Sequence, residues 1–279
     1  MKKFSDREGI TKPKVEIQIA AMDKDLRNCL WNAIYQFYLE PYCYPAYMDN
    51  ELFSFLKLLW HSHFKLPNDL IDKVRYGSTI GKLRMHHFKA PWYEVYNLIE
   101  FFANRFPDTE RNANFVNECN AVFEQELSGY RFVGTYIAQI TSKEEISEIE
   151  EALTSPFKNV NAHIENALRL MSDKTNPDYR NSIKESISAV EATCNLLAGK
   201  KITLGQCLKE IREKVGLHGA LEKAFSSLYG YTSEAEGIRH ALLDEPTLNF
   251  EDAKFMLVSC SAFVNYLKSK ASKAGLKMS

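Results

Sequence analysis

Residues 178–199, DYRNSIKESISAVEATCNLLAG, contain the pattern that decides the fold class. Apolar residues recur in this stretch at offsets 0, 4, 7, 11 and 14, and a helix turns such positions to one side. The five positions are Ile183, Ile187, Val190, Cys194 and Leu197. Asp178 precedes them as a helix N-cap, and Gly199 follows where helices commonly end. The stretch therefore predicts a long amphipathic α-helix.

The same helical spacing continues outward on both sides. Asp23 and Asp25 supply capping carboxylates for a first helix, which Pro41 ends near Glu40. Further helices are predicted over 50–64, 93–106, 115–127, 160–171, 204–215 and 250–268. Gly216 follows the range 204–215 where helices commonly end, and Asn249 with Asp252 starts the last helix. The last of these, FEDAKFMLVSCSAFVNYLK, is apolar around most of its circumference, so we expect it to be buried against neighbours or against another subunit.

One segment departs from the helical period. Residues 130–140, YRFVGTYIAQI, place β-branched and aromatic residues on either side of Gly134 and Thr135, which suits a two-residue type II′ hairpin turn. Thr141 and Glu144 then form a capping box for a short helix.

The length of the chain favours two domains. It has 279 residues, about twice the ~150 residues of an ordinary domain. Pro156 ends the short helix that follows the hairpin, which makes a plausible spacer between two helical blocks. We therefore predict a mainly α protein with two helical domains, residues 1–155 and 156–279, joined through the short β-hairpin.

Composition excludes several classes of protein. The 35 Lys and Arg residues nearly balance 36 Asp and Glu residues, so no basic surface covers the whole molecule and any RNA contact must be local. The six cysteines never form a C-x-x-C pair, and no Gly-rich phosphate loop occurs, so we expect no cofactor. The N-terminus has no apolar leader segment and no stretch approaches a membrane span. These features predict a protein of the reducing cytoplasm with no membrane contact.

Two histidine groups are weak candidates for chemistry. His61 and His63 lie two residues apart, so a helix points them in divergent directions and they do not share a metal from that helix. His86 and His87 lie in LRMHHFK, a small basic patch that either contacts a phosphate or is an ordinary solvated face. The sequence predicts no metal site.

The motif DLRNCL at 25–30 recurs as DYRNSI at 178–183. Both copies place Asp at a helix start, so a local capping role explains them without further function. The functional alternative is that Arg180 and Asn181 face a shared polar cleft.

Two known families resemble this sequence. FSDREG, followed by MDKDLRNCLWNAIYQFY, resembles the N-terminal domain of AbiJ-type abortive-infection proteins of bacteria. NPDYRNSIKESISAVEATCNLL, KAFSSLYGYTSEAEGIRHALLDE and FEDAKFMLVSCSAFVNYL resemble the helical HEPN domain. The resemblance implies phage defence, and many HEPN domains are dimeric, metal-independent ribonucleases or their inactive relatives.

The HEPN resemblance also points to a site. Such nucleases usually carry an Arg, a polar residue and then a His, with four to six residues between the Arg and the His. Arg239 fits the Arg position, but Asp244 to Pro246 occupy the expected His positions and His240 is adjacent instead. Arg239 and His240 are therefore the predicted catalytic residues, with a site assembled across a homodimer of the C-terminal domain as one arrangement. If the resemblance holds, the helix of Arg180, Asn181 and Glu185 borders this cleft and contacts substrate.

Alternatives to catalysis remain open at this level. If the site is inactive, we expect Arg239 to form an ion pair with an acidic neighbour and His240 to pack as an ordinary imidazole. The chain is then a non-catalytic helical module that binds a nucleotide, RNA or partner protein in a defence or regulatory complex. For the catalytic interpretation, we expect RNA as substrate and a phage-derived trigger.

Overall fold

A computed structural model describes residues 4, 8, 16–42, 48–173, 176–233 and 248–276. Two compact units divide the chain, residues 1–139 and residues 140–279. The described part contains eleven α-helices and a two-stranded hairpin, which confirms the predicted mainly α fold class.

The described residues of the first unit form five α-helices. They are α1 (Lys24–Ile34), α2 (Asn50–Leu58), α3 (Tyr76–Lys89), α4 (Trp92–Arg105) and α5 (Thr109–Gln125). Asp23 and Asp108 act as N-caps, because their carboxylates accept the amides of Leu26 and Arg111, each at 2.9 Å. Helix α3 was absent from the predictions, because its apolar residues are too few to give a clear helical period.

Two of these helices continue as wider π-helical turns. Helix α1 passes into the π-helical turn Tyr35–Leu39 and then the 3-10 turn Glu40–Tyr42. The regular helix therefore stops near Glu40 as predicted, but its last turn is not α-helical. Helix α2 passes into Leu59–Phe64 and stops at Lys65, which adopts a left-handed conformation with φ 54°. Such π-turns are rare, and they frequently occur at functional sites.

Aromatic residues dominate the core of the first unit. The Tyr38 ring lies 5.0 Å from Phe102 and 4.8 Å from both Phe106 and Phe115, measured between ring centroids. The buried Tyr38 hydroxyl donates to the Asn112 side-chain oxygen at 2.9 Å. These contacts join α1, α4 and α5 around one centre, and each aromatic pair adds about 0.5–1.5 kcal/mol beyond its buried area.

The predicted hairpin is confirmed. Strand β1 (Arg131–Val133) pairs antiparallel with β2 (Tyr136–Ala138), and Gly134 takes φ 57°, as the first position of a II′ turn requires. The Asn120 side chain on α5 accepts the amide of Phe132 at 2.8 Å and donates to its carbonyl at 3.1 Å. The hairpin is therefore held to a helix of its own unit.

The second unit is a helical bundle. Its helices are α6 (Lys143–Leu153), α7 (Lys158–Ser172), α8 (Tyr179–Ala198), α9 (Leu204–Val215), α10 (Gly219–Ser233) and α11 (Phe250–Lys273). Helix α8 packs against α7, α9 and α11, and α11 also packs against α6. The predicted N-cap Asp178, the Asn249–Asp252 capping box and the helix ends at Gly199 and Gly216 are all present. Helix α6 starts one residue later than predicted, with Ser142 as its N-cap in place of Thr141.

Polar contacts fix the register of the buried helices in this unit. The Ser182 hydroxyl on α8 is fully buried and donates to the Ala167 carbonyl of α7 at 2.7 Å. Asn265 on α11 donates to the carbonyl and to the carboxylate of Glu148 on α6, both at 2.9 Å. Helix α11 is thus buried on a broad face against its own unit, which is one of the two arrangements predicted for it. Phe255 on the same helix is 58% exposed.

Four of the described cysteines are buried in the cores, as expected of small apolar residues. They are Cys119, Cys194, Cys207 and Cys260. Of the helices within the described ranges, none has the length and apolar character needed to span a membrane.

Candidate functional site

The predicted catalytic residues Arg239 and His240 lie outside the described residues, which resume at 248. Their geometry is therefore not part of the site described below. The three predicted substrate-contacting residues, Arg180, Asn181 and Glu185, all lie on α8, where each can be placed.

Asn181 has a local structural role. The Asp178 carboxylate accepts its backbone amide at 2.9 Å and its side-chain amide at 2.6 Å. Arg180 is half-buried in the same first turn of α8. The capping explanation of the DYRNSI motif therefore accounts for Asn181.

Glu185 meets a residue that sequence reasoning did not single out. His163 on α7 lies with its Nδ1 atom 2.7 Å from the Glu185 Oε2 atom. Both side chains are about one-third exposed, at 35% and 30%. In the neutral imidazole, an Nδ1–H that donates to the carboxylate leaves Nε2 as the acceptor nitrogen. The carboxylate thus orients the imidazole ring and favours the tautomer with the hydrogen on Nδ1.

His163 lines an open groove of about 910 Å³ along α7 and α8. Other lining residues are Phe157, Lys158, Asn159, Asn166, Ser188, Glu191, Asn195 and Lys201. The lysines offer positive charge to phosphates, the amides offer donors and acceptors, and the phenyl ring offers a face for a base. The groove therefore combines positive charge, amide donors and acceptors and an aromatic ring with the carboxylate of Glu191.

Two of the predicted residues on α8 share a helix face with Ser188, which lines the groove. Asn181 precedes Glu185 by four residues and Ser188 by seven, so the three side chains lie on one face of the helix. Arg180 lies about 100° around the helix from Asn181. The structure brings Glu185 to His163, while Asn181 stays with its cap at the start of the helix.

The pairing of His163 with Glu185 had no signal in the sequence, because 22 residues and a helix connection separate them. A second Arg–His pair in the sequence has the spacing of HEPN nucleases. Arg212 and His218 are separated by five residues, of which the first is Glu213, and this is the spacing that the HEPN resemblance implies.

The structure gives Arg212 and His218 packing roles. The Arg212 Nη1 atom lies 3.3 Å from the Oε2 atom of Glu222, a buried carboxylate on α10. The His218 Nδ1 atom accepts the Ala220 amide at 3.1 Å. Arg212 therefore neutralises a buried charge and His218 caps the start of α10.

A metal centre has no support in the described ranges, where no cluster of three or more His, Cys, Asp or Glu residues could hold an ion.

These features define a mainly helical protein of two units, with a polar groove and an oriented histidine in the second. The family model for AbiJ N-terminal domain 4 matches residues 2–155, more than half of the chain. The protein therefore belongs to the AbiJ N-terminal domain 4 family, and this membership suggests a function in abortive-infection defence against phage. No curated protein and no solved structure matches the chain. The family match includes the first unit and α6 and ends before α7.

Proposed function

We propose that this protein is a metal-independent ribonuclease of phage defence, with a HEPN-like domain as its second unit. The observation that carries the proposal is the 2.7 Å contact of Glu185 with His163, a residue that lines a groove together with Lys158 and Lys201. Together these residues offer a positioned proton acceptor and positive charge in one place.

The chemistry follows from these groups. The Nε2 atom of His163 takes the proton from a ribose 2′-OH, and the 2′ oxygen attacks the adjacent phosphorus. The bond from phosphorus to the 5′ oxygen breaks, which leaves a 2′,3′-cyclic phosphate, and the leaving 5′ oxygen takes up a proton from water. His163 then releases the proton of the 2′-OH to solvent. The lysine ammonium groups stabilise the negative charge that develops on the phosphate oxygens. No metal ion is required at any step.

The HEPN resemblance assigns the same reaction to Arg239 and His240, with Arg239 contacting the phosphate and His240 transferring the proton. Arg180, Asn181 and Glu185 remain the proposed residues along the substrate path, of which Glu185 acts by orienting His163. In a homodimer, two copies of the second unit together complete the site. Light scattering at micromolar concentration tests this, because a strictly monomeric mass removes the composite site.

The decisive experiment uses the full-length protein and labelled total bacterial RNA in EDTA. Wild type is compared with His163→Ala, with an Arg239→Ala/His240→Ala double variant and with His218→Ala as the matched control. Cleavage by wild type and by the control, with loss in either of the other two variants, supports the proposal and locates the residues. Wild type is assayed both alone and with extract of phage-infected cells, because the proposed trigger comes from the phage. Absence of cleavage above that of the extract alone in both conditions overturns the ribonuclease assignment.

A second candidate function is a non-catalytic module that binds RNA, a nucleotide or a partner protein. The observation that favours it is the pairing of Arg212 with the buried Glu222, because this Arg–His spacing then serves packing rather than catalysis. An oligonucleotide with 2′-deoxy sugars cannot be cleaved by this chemistry. If the protein binds this oligonucleotide and does not cleave normal RNA, the result supports the binding module.

The proposed place of action is the cytoplasm, where host and phage RNA are accessible. A phage-derived trigger is the proposed signal for activity, and the first unit is its proposed receptor.

A further inference from the structure

The first unit contains a cavity that the proposed ribonuclease chemistry does not use. It measures about 700 Å³, within the usual range of small-molecule sites. Its lining residues are Trp60, His63, Phe64, Leu66, Leu70, Lys82, Met85, His86, Lys89, Ala90 and Glu94. Three of them, Trp60, His63 and Phe64, lie on the π-helical turn after α2.

Two buried polar atoms on the residues of this wall have no hydrogen-bond partner in the part of the chain that the structure describes. They are the Trp60 Nε1 atom and the His86 Nε2 atom. The Trp60 side chain is only 1% exposed, so water does not compensate its indole N–H. An indole N–H can only donate. A ligand acceptor that reaches the Trp60 N–H when it binds therefore removes the cost of leaving this buried donor unpaired.

Positive charge is arranged along one side of the cavity. Lys82 and Lys89 are seven residues apart on α3, so they lie on the same face of the helix, and His86 lies between them. The Lys82 ammonium donates to the Leu70 carbonyl at 3.0 Å and keeps two further donors for a ligand. Glu94 is the one carboxylate among the lining residues.

The remaining wall is aromatic and apolar. The Phe64 and His86 rings lie 4.3 Å apart between centroids. Leu66, Leu70 and Met85 are 46%, 41% and 52% exposed, so three large apolar side chains reach solvent around one cavity. Such clustering of exposed apolar side chains is typical of binding sites. Burial lowers the pKa values of both His63 and His86, so their rings are neutral near pH 7.

We propose that this cavity binds a nucleotide, with the base against Trp60, Phe64 and His86 and the phosphate at Lys82 and Lys89. A nucleobase is planar and carries acceptors for the indole N–H together with exocyclic donors for Glu94. The phosphate supplies the negative charge that the two lysines match. An uncharged aromatic molecule leaves the lysines unused, and inorganic phosphate leaves the apolar wall and the indole N–H unused.

Isothermal titration of the full-length protein tests this assignment. The probes are AMP, GMP, CMP and UMP, with the four nucleosides and inorganic phosphate for comparison. At least one nucleotide is expected to bind with a Kd below about 1 mM, and at least about tenfold more tightly than its nucleoside. The indole ¹H–¹⁵N signal of Trp60 is expected to shift on binding. Absence of binding by all four nucleotides, or a nucleoside that binds as tightly as its nucleotide, overturns the proposal.

Variants locate the site. Lys82→Ala/Lys89→Ala is expected to weaken nucleotide binding about tenfold or more, while Lys82→Arg/Lys89→Arg retains it. Trp60→Phe keeps the aromatic wall but removes the N–H, so a loss of about 2- to 10-fold is expected. Lys24→Ala/Lys57→Ala, which removes two exposed lysines of the first unit that do not line the cavity, is the matched control and leaves binding unchanged. Lys158→Ala/Lys201→Ala, which removes two lysines from the groove in the second unit, is measured for comparison.

The outcomes separate this proposal from the ribonuclease assignment. If nucleotide binding is lost in the Lys158/Lys201 variant and retained in the Lys82/Lys89 variant, the ligand occupies the other groove and the proposal is overturned. RNA cleavage by the Lys82/Lys89 variant in EDTA is measured in parallel, because the two sites belong to different units and either assignment can fail alone.

Discussion

The side chains of Arg27 and His87 each donate a hydrogen bond to the backbone carbonyl of the other residue. The Arg27 Nη1 atom donates to the His87 carbonyl at 2.5 Å, and the His87 Nε2 atom donates to the Arg27 carbonyl at 2.9 Å. Arg27 also donates to the Ala90 carbonyl at 2.9 Å. These three bonds join α1 to the end of α3. The His87 side chain is fully buried, and burial favours the neutral form of its imidazole. The contact was not foreseen, since LRMHHFK suggested a solvated basic face and the structure buries one of its two histidines.

His87 should make the first unit sensitive to acid. Burial lowers its pKa to about 4, below the ordinary value of 6.5, so the unfolded chain takes up a proton first as the pH falls. Its stabilisation is complete above pH 6.5 and is lost as the pH falls towards 4, by about 3 kcal/mol in total. As the pH falls across this window, we expect the His87→Gln variant to lose less unfolding free energy than wild type does. Parallel pH profiles would contradict a buried neutral imidazole.

Glu100 should have the opposite effect in the same unit. Burial raises its pKa to about 7, although the hydrogen bond from the Ile137 amide opposes this shift. The folded state therefore holds the proton more tightly than the unfolded state, so the stabilisation is present below about pH 4.5 and is lost as the pH rises to 7. We expect Glu100→Gln, which keeps an acceptor for Ile137, to remove up to about 3 kcal/mol of this dependence.

The two effects oppose each other between pH 4.5 and 6.5, so they largely cancel in wild type. Each single variant therefore exposes the contribution of the other residue. Unfolding of Glu100→Gln should become more acid-sensitive than wild type, and unfolding of His87→Gln less so. If both variants change the profile in the same direction, at least one of the two protonation states is assigned incorrectly.

Asp178 in the DYRNSI motif should contribute to stability through its bonds to Asn181. Asp178 accepts two bonds from Asn181, so Asp178→Ala removes the N-cap of α8 and should cost about 1 kcal/mol of unfolding free energy. Asn181→Ala loses only the exposed side-chain bond and should cost less than about 0.5 kcal/mol. Thermal unfolding with RNA-cleavage assays checks both. If the Asn181→Ala protein is fully stable but no longer cleaves RNA, the result supports the proposed contact of Asn181 with substrate.

The fold was largely predictable because it rests on local signals. Apolar periodicity marked α8 and α9, and Asp178, Gly199 and Gly216 marked helix ends that the structure confirms. Helix α3 gave no comparable signal, because only Thr79, Leu83 and His87 are buried along it. The π-helical turns were also missed, since the residues of a π-turn resemble those of an ordinary helix.

The site was less predictable because it depends on contacts between helices. Glu185 was named from the sequence for its position on α8, but its partner His163 lies 22 residues earlier on another helix. No spacing rule connects two residues across a helix pair whose packing is not yet known. The opposite failure concerns Arg212 and His218, whose spacing was visible, while only the structure shows that Arg212 pairs with Glu222.

The paired roles of His163 and Glu185 give the sharpest test of catalysis. His163→Ala removes the proton acceptor and should lower the cleavage rate by about 10²- to 10⁴-fold, the range usual for general bases. Glu185→Gln retains an oxygen that accepts the Nδ1–H and removes only the charge, so a smaller loss is expected. His218→Ala, the exposed cap of α10, should cleave at the wild-type rate. Initial rates on a labelled oligoribonucleotide measure all three, with unfolding curves to confirm folding. Equal rates for wild type and His163→Ala would exclude His163 as the base and leave Arg239 and His240 as the remaining candidates.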